Sequence, residues 1–277
     1  MRIAISNIAW DTSEDVEIAG LLKKYSVDAI DIAPGKYFPD PSNASDGLIA
    51  GVKFWWADQG IEITGMQALL FGTVGLNLFG SSDSRADMLN HLTHVCKIAS
   101  KLGAKYLVFG SPKNRDRAGM DERQVEEIAV PFFQVLGRIA ADLGVIICLE
   151  PNPPVYGTNF MTNAAETSHI VRLVGHPSIQ MQFDTGAIAL NGEDPEKIIS
   201  EHGSIIKHVH VSEPQLITIG RAHTDHMLIG SALNQHLGKC IATIEMVATK
   251  NEPHLSTVEE ALRYTVQSYR PSPMVNA

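Results

Sequence analysis

The sequence predicts a (β/α)8 barrel that forms a single domain over residues 1–277. Three observations carry this. Short β-branched runs alternate with longer amphipathic stretches, the pattern of strands interleaved with helices. There are eight such runs, and their starts fall 27 to 45 residues apart, against about 30 for one strand-plus-helix unit. No linker, low-complexity tract or charge block divides the 277 residues, and barrels of about 250 residues are single units. A doubly wound open sheet would show the same alternation. Its dinucleotide-binding form needs a glycine-rich first βα turn, and here that turn reads Asn7-Ile8-Ala9-Trp10-Asp11; there is no P-loop either.

The expected strands are Arg2–Ala9, Ala29–Ile32, Ile61–Ala68, Tyr106–Phe109, Val145–Leu149, Ile179–Phe183, Ile206–Val211 and Ile241–Met246. The segments between them read as helices. Ser13-Glu14-Asp15 opens the first with an N-cap and first-turn acids, and Ile18, Leu21, Leu22 and Tyr25 supply its apolar face. Asp83 to Leu102 carries Met88, Leu92, Val95 and Cys96 on one side and is stopped by Gly103. Asp121 to Leu143 is the longest; Gly144 ends it and Pro131 interrupts it. Thr257 to Tyr269 is the last, and the tail from 271 is expected to fray.

Asp and Glu number 31 against 22 Lys and Arg, a formal charge of −9. That argues against nucleic acid as a partner, which requires a cationic surface. No apolar run approaches the roughly 20 residues of a membrane span. Strand-like sequence begins at once at Met1, without a signal-peptide layout, and Cys96, Cys148 and Cys240 show no paired spacing. Free thiols and a cytoplasmic location are therefore expected.

Polar residues that end barrel strands collect around one mouth. The last four strands run into Leu149-Glu150-Pro151, Phe183-Asp184-Thr185-Gly186, His208-Val209-His210-Val211-Ser212-Glu213 and Thr243-Ile244-Glu245. Glu150, Asp184, His210 and Glu245 thus lie 34, 26 and 35 positions apart, about one βα unit each, and can converge at one depth. Like charges gathered in a mouth are costly unless a cation neutralises them. Three carboxylates and an imidazole suit one divalent ion: Mn²⁺, Mg²⁺ or Co²⁺ first, with Zn²⁺ also possible.

Across nearly its whole length the chain resembles the xylose-isomerase-like superfamily of sugar isomerases and epimerases. It most resembles ketose 3-epimerases of the tagatose/psicose type and hydroxypyruvate isomerases, through the four segments just quoted. The resemblance implies that Glu150, Asp184, His210 and Glu245 bind one divalent metal and that Glu150 and Glu245 are the acid–base pair. It also implies a homodimer or homotetramer. A metal on a substrate carbonyl and its neighbouring hydroxyl acidifies the adjacent C–H and favours an enediolate. One glutamate then removes a proton and the other returns it, giving epimerisation or isomerisation of a sugar, keto-sugar or sugar phosphate. Two other readings stay open: a metal-dependent dehydratase of a cyclic or sugar-like hydroxy ketone, and a non-catalytic sugar-binding barrel. The apurinic endonucleases that share this superfamily fold do not fit so acidic a chain.

The chain departs from the epimerase pattern at Ala187, Tyr156 and Leu216, where those enzymes carry His, Glu and Arg. Arg221, five residues beyond Leu216, is the candidate replacement for that arginine. Gln67 and Ser111 end strands three and four and are candidates to bind substrate hydroxyls; Glu213 is a third. Lys113, Arg115 and Arg117 form the densest basic cluster, suited either to a phosphate or carboxylate or to a solvated loop. His208 shares a face with His210 by the period of two and is expected as a layer residue beneath it. His223, Asp225 and His226 form a second polar cluster, in which Asp225 is also a candidate helix cap. Trp10, Phe71 and Phe79 are candidate walls of the pocket.

Overall fold

The computed structural model describes residues 1–270; the tail from 271, expected to fray, lies outside the described residues. Eight parallel strands close on themselves in sequence order: β1 (Arg2–Ser6), β2 (Ala29–Ile32), β3 (Glu62–Met66), β4 (Tyr106–Phe109), β5 (Ile146–Leu149), β6 (Ile179–Asp184), β7 (Ile206–Ser212) and β8 (Ile241–Glu245). The closing pair is β1 with β8, with Ile3 opposite Ala242 and Ile5 opposite Ile244. Closure leaves no sheet edge and buries both faces of most strands, which is why they read as near-continuous apolar runs.

The described helices are α1 (Asp15–Lys24), α2 (Asp46–Asp58), α3 (Ser82–Leu102), α4 (Glu122–Asp142), α5 (Ala164–Val174), α6 (Thr185–Asn191), α7 (Pro195–His202), α8 (His226–Leu237) and α9 (His254–Tyr269). Their ends follow the expected chemistry. Ser81 caps α3 and Gly103 ends it at φ 89°. Asp121 and Gln124 cap α4 reciprocally, and Pro131 is accommodated inside that helix. Asp225 does cap a helix, accepting from Leu228 N at 3.0 Å at the start of α8. Among the described residues no helix is long and apolar enough to cross a membrane.

Several boundaries differ from expectation by one to three residues: β3 spans Glu62–Met66 and not Ile61–Ala68, α9 starts at His254 and not Thr257, and the start of the barrel differs in two ways. β1 stops at Ser6 rather than Ala9, because residues 7–9 wind into a 3-10 turn and Asn7 Oδ1 accepts from Ala33 N at 2.7 Å. The first helix is not capped by Ser13. Asp11 and Glu14 form a capping box around a 3-10 turn that leads into α1.

Inside the barrel, His208 lies in the layer below His210, as the period of two predicts; the two rings meet edge to face at 5.1 Å. Its Nε2 pairs with Asp31 Oδ2 at 2.7 Å, and its Nδ1 lies 3.0 Å from the carboxamide of Gln182. Asp31 and His208 are at most 1% exposed. A Cβ on Gly65, the β3 neighbour of Asp31, would fall 2.6 Å from Asp31 Oδ1, so only glycine leaves room for this pair.

Candidate metal and proton-transfer site

The register brings the four strand-end residues together. Asp184 pairs with His210 between β6 and β7, and Glu245 pairs with Ser212, two residues past His210, between β7 and β8. Glu150 follows β5 directly, its N–H donating to Phe109 O. His210 Nδ1 lies 3.1 Å from Glu245 Oε2, 3.3 Å from Glu150 Oε1 and 3.9 Å from Asp184 Oδ2. One potential ligand atom from each of the four falls within 4.8 Å of all the others. His210 is fully buried, and the glutamate side chains are each 12% exposed.

Neighbours hold each carboxylate in place. Asn152 Nδ2 donates to Glu150 Oε2 at 2.9 Å, and Gln67 Nε2 donates to Glu245 Oε1 at 2.6 Å. Ser212 Oγ lies 2.9 and 2.8 Å from the two oxygens of Asp184, whose Oδ1 also accepts from Ala187 N as the cap of α6. Asn152 and Ser212 were not singled out from the sequence. Each stands two positions beyond a ligand candidate, so the period of two was the available signal.

The electrostatics favour a cation. Burial, together with the charges of Glu245 and Glu150, pushes the Asp184 carboxyl up to about 8. Burial also disfavours ionised Glu150, but His210, Asn152 and Arg115 outweigh it and hold that carboxyl below its ordinary range. The Glu245 and Glu150 charges hold His210 well above the usual imidazole range against its burial. Glu150 Oε1, though buried, makes no aligned hydrogen bond. A carboxylate-rich donor set with a buried unpartnered oxygen fits one divalent ion, held by Glu150, Asp184, His210 and Glu245.

The cage lies in a cavity of about 1140 Å³ at the carboxyl end of the barrel. Gln67, Ser111 and Glu213 line it. The Glu213 carboxylate, however, is taken up by Gly220 N, Thr224 Oγ1 and His226 Nε2, so it anchors the loop after β7 instead of offering a free acceptor. Arg115 is fully buried, donating to Glu150 O at 2.8 Å, and burial pushes its guanidinium down to about 10. It supports the Glu150 backbone and does not line the cavity. Lys113 is exposed outside the cavity, and Arg117 pairs with Glu122. Arg221 does not replace the missing arginine: its fork is spent on Glu252 and Glu260.

His226 is buried between Glu213 and Tyr269, whereas His223 and Asp225 are exposed, so these three do not form one centre. Trp10 and Phe79 are core residues, and Phe71, 86% exposed, is the aromatic of the three that lines the cavity. All three cysteines are free.

The fold and site define an eight-stranded α/β barrel with a carboxylate–imidazole cage at its catalytic-type mouth. A family model described as xylose isomerase-like TIM barrel matches residues 20–265, and the chain belongs to that family. By structure it is similar to D-psicose 3-epimerase from Clostridium cellulolyticum H10, with a TM-score of 0.81, 19% identity and coverage of 97% of this chain and 99% of that one. It is also similar to the IOLI protein with a binding zinc atom, with a TM-score of 0.76, 16% identity and coverage of 97% and 98%. By sequence it is 29% identical over 92 residues to inosose dehydratase of Lacticaseibacillus casei, a stretch that spans 33% of this chain and 30% of that relative's length.

Proposed function

We propose that the protein is a divalent-metal-dependent isomerase or epimerase of a sugar or keto-sugar. The observation that carries this is the matched pair of glutamates. Glu150 and Glu245 follow or end strands three places apart in the closed barrel, and so reach one cage from different parts of its wall. Each turns one oxygen toward His210, and a carboxamide holds the other, Asn152 for Glu150 and Gln67 for Glu245. Two carboxylates brought to one cavity from different strands, each with one oxygen held by an amide, can remove and return a proton at one substrate.

Glu150, Asp184, His210 and Glu245 would hold a divalent ion, which would supply Lewis acidity toward a substrate carbonyl. The protein's own groups do the rest. One glutamate takes the proton from the carbon beside the carbonyl, and the other returns one to the opposite face or to the next carbon. Gln67 Oε1 is buried and unpartnered, and serves as the acceptor for a substrate hydroxyl. Asp184, doubly engaged by Ser212, is a ligand and not a proton carrier.

The test is proton–deuterium exchange in D2O, followed by NMR, with metal-loaded protein, an EDTA-treated control and a panel of keto-sugars. The expected result is metal-dependent labelling at a carbon next to the carbonyl. Bound metal without exchange on any panel member would remove the reading. The local match to inosose dehydratase favours a second reading, in which the same proton abstraction is followed by loss of a β-hydroxyl. That outcome shows as irreversible formation of an enone chromophore.

A further inference from the structure

Resting on this reading of the site, we propose that the substrate is an uncharged keto-sugar that carries an apolar substituent, and not a sugar phosphate. The first argument is charge. Asp11, Asp40, Glu150, Asp184, Glu213 and Glu245 line the cavity, whereas the single lysine or arginine among its described lining residues is Lys36. The Lys36 ammonium is already engaged, donating to the carbonyls of Asn7, at 2.8 Å, and Trp10. Arg115, Lys113 and Arg221 lie outside the cavity. A barrel has another means of holding phosphate, the N-terminus of a helix near the last strands. Here Asp184 caps α6 through Ala187 N and Asp225 caps α8 through Leu228 N, while α9, which starts behind Pro253 without a side-chain cap, begins outside the cavity lining. Beyond the divalent ion that the cage would hold, a phosphate dianion would find no free lysine or arginine on the cavity wall and both α6 and α8 already capped by carboxylates.

The second argument is size and surface. A cavity of about 1140 Å³ lies just above the roughly 300–1,000 Å³ typical of sites for drug-sized ligands. A monosaccharide alone would leave much of it filled with water. Beside the cage the loops after β5, β7 and β8 are tied together. Gln215 N donates to Tyr156 Oη at 2.7 Å, and Val247 N donates to Leu216 O at 3.0 Å. These bonds place Tyr156, Leu216 and Val247 along one stretch of the cavity wall, with Tyr156 and Leu216 at two of the positions where the epimerase pattern has charged residues. Gln215 and Leu216 both have left-handed backbones, φ 64° and 54°, a costly conformation for such residues. An apolar surface retained at that cost, next to a polyol site, fits an alkyl or aryl group carried by the sugar.

The experiment measures binding by calorimetry, and proton–deuterium exchange in parallel, on metal-loaded protein with D-fructose, 6-O-benzyl-D-fructose and D-fructose 6-phosphate. The benzylated sugar is expected to bind about tenfold or more tighter than fructose, from burial of one ring, and the phosphate weaker than either. Leu216→Ala is expected to weaken the benzylated sugar by a larger factor than it weakens fructose. Phosphate binding as tight as benzyl binding, equal losses in the variant, or no binding of the benzylated sugar would each overturn the proposal. Tight benzyl binding without exchange would leave it standing and count against the proton-transfer reading instead.

Discussion

Gln67 Nε2 donates to Glu245 Oε1 at 2.6 Å, joining the end of the third strand to the end of the eighth. Asn152 Nδ2, two residues along the loop after β5, donates to Glu150 Oε2 at 2.9 Å. Each proposed proton carrier thus has one oxygen held by an amide, a group that does not itself titrate. Gln67→Ala should lower turnover or metal affinity about 10–100-fold, the usual cost of losing a partner behind a ligand. Steady-state kinetics and a metal titration check this, and wild-type values in both would remove the positioning role.

Glu150→Gln and Glu245→Gln keep the shape of the side chain and discard its base. Each should abolish turnover while the circular dichroism spectrum and cooperative unfolding persist. A variant that retains wild-type turnover would exclude its residue from proton transfer.

Gly110 gives a test that leaves the acids themselves untouched. A Cβ there would fall 2.0 Å from Glu150 Oε2, where Asn152 now holds the carboxylate. Gly110→Ala should displace Glu150 and cut turnover while the barrel still folds. A crystal structure of the variant with Glu150 unmoved would contradict the steric argument.

Removing the metal should also destabilise the fold, because three carboxylates would then share the cage with a single imidazole. Ligand linkage gives about 2.7 kcal/mol when metal is present at a hundredfold excess over its Kd. For a domain of this size that corresponds to a fall in Tm of roughly 5–10 °C on chelation. Mn²⁺, Mg²⁺, Co²⁺ and Zn²⁺ added back singly should restore it to different degrees. A Tm indifferent to all four would argue against the metal site.

One pH effect follows from a pair on the loops flanking the barrel's closing strands. His254 Nδ1 lies 2.6 Å from Glu14 Oε2, and this hydrogen bond holds His254 above its ordinary range against partial burial. Burial disfavours ionised Glu14, but His254 and the Asp11 backbone outweigh it and hold Glu14 low. The His254 contribution is complete below its unfolded value of about 6.5 and fades as pH rises through the raised folded value. The Glu14 contribution is complete above about 4.5 and fades as pH falls through the lowered folded value. The pair should therefore stabilise most between about pH 4.5 and 6.5, by less than ~1 kcal/mol given its exposure. Denaturant titrations of wild type and His254→Ala should differ most in that window and converge above it.

The barrel was legible because its signals are local. Eight apolar runs at unit spacing, Gly103 behind α3 and Asp121 ahead of α4 each act through their own neighbours. Glu150, Asp184, His210 and Glu245 were legible for a related reason. Parallel strands in register carry equivalent sequence positions to equivalent heights, so spacing alone placed the four together. By the same logic His208 fell one layer below His210.

The destinations of long side chains were decided by tertiary structure. Lys113, Arg115 and Arg221 look equivalent as cations in a sequence. Folding left one in solvent, buried one behind Glu150, and spent one on Glu252 and Glu260. Glu213 stands just past the strand that carries His210, yet its oxygens close a loop through Gly220, Thr224 and His226. Asp31, 177 positions from His208, carried no local sign of its partner. Charge and spacing along a chain determine which residues can reach a site; which of them keep a free hydrogen-bonding atom there depends on partners far away in sequence, and only packing brings those within 3 Å.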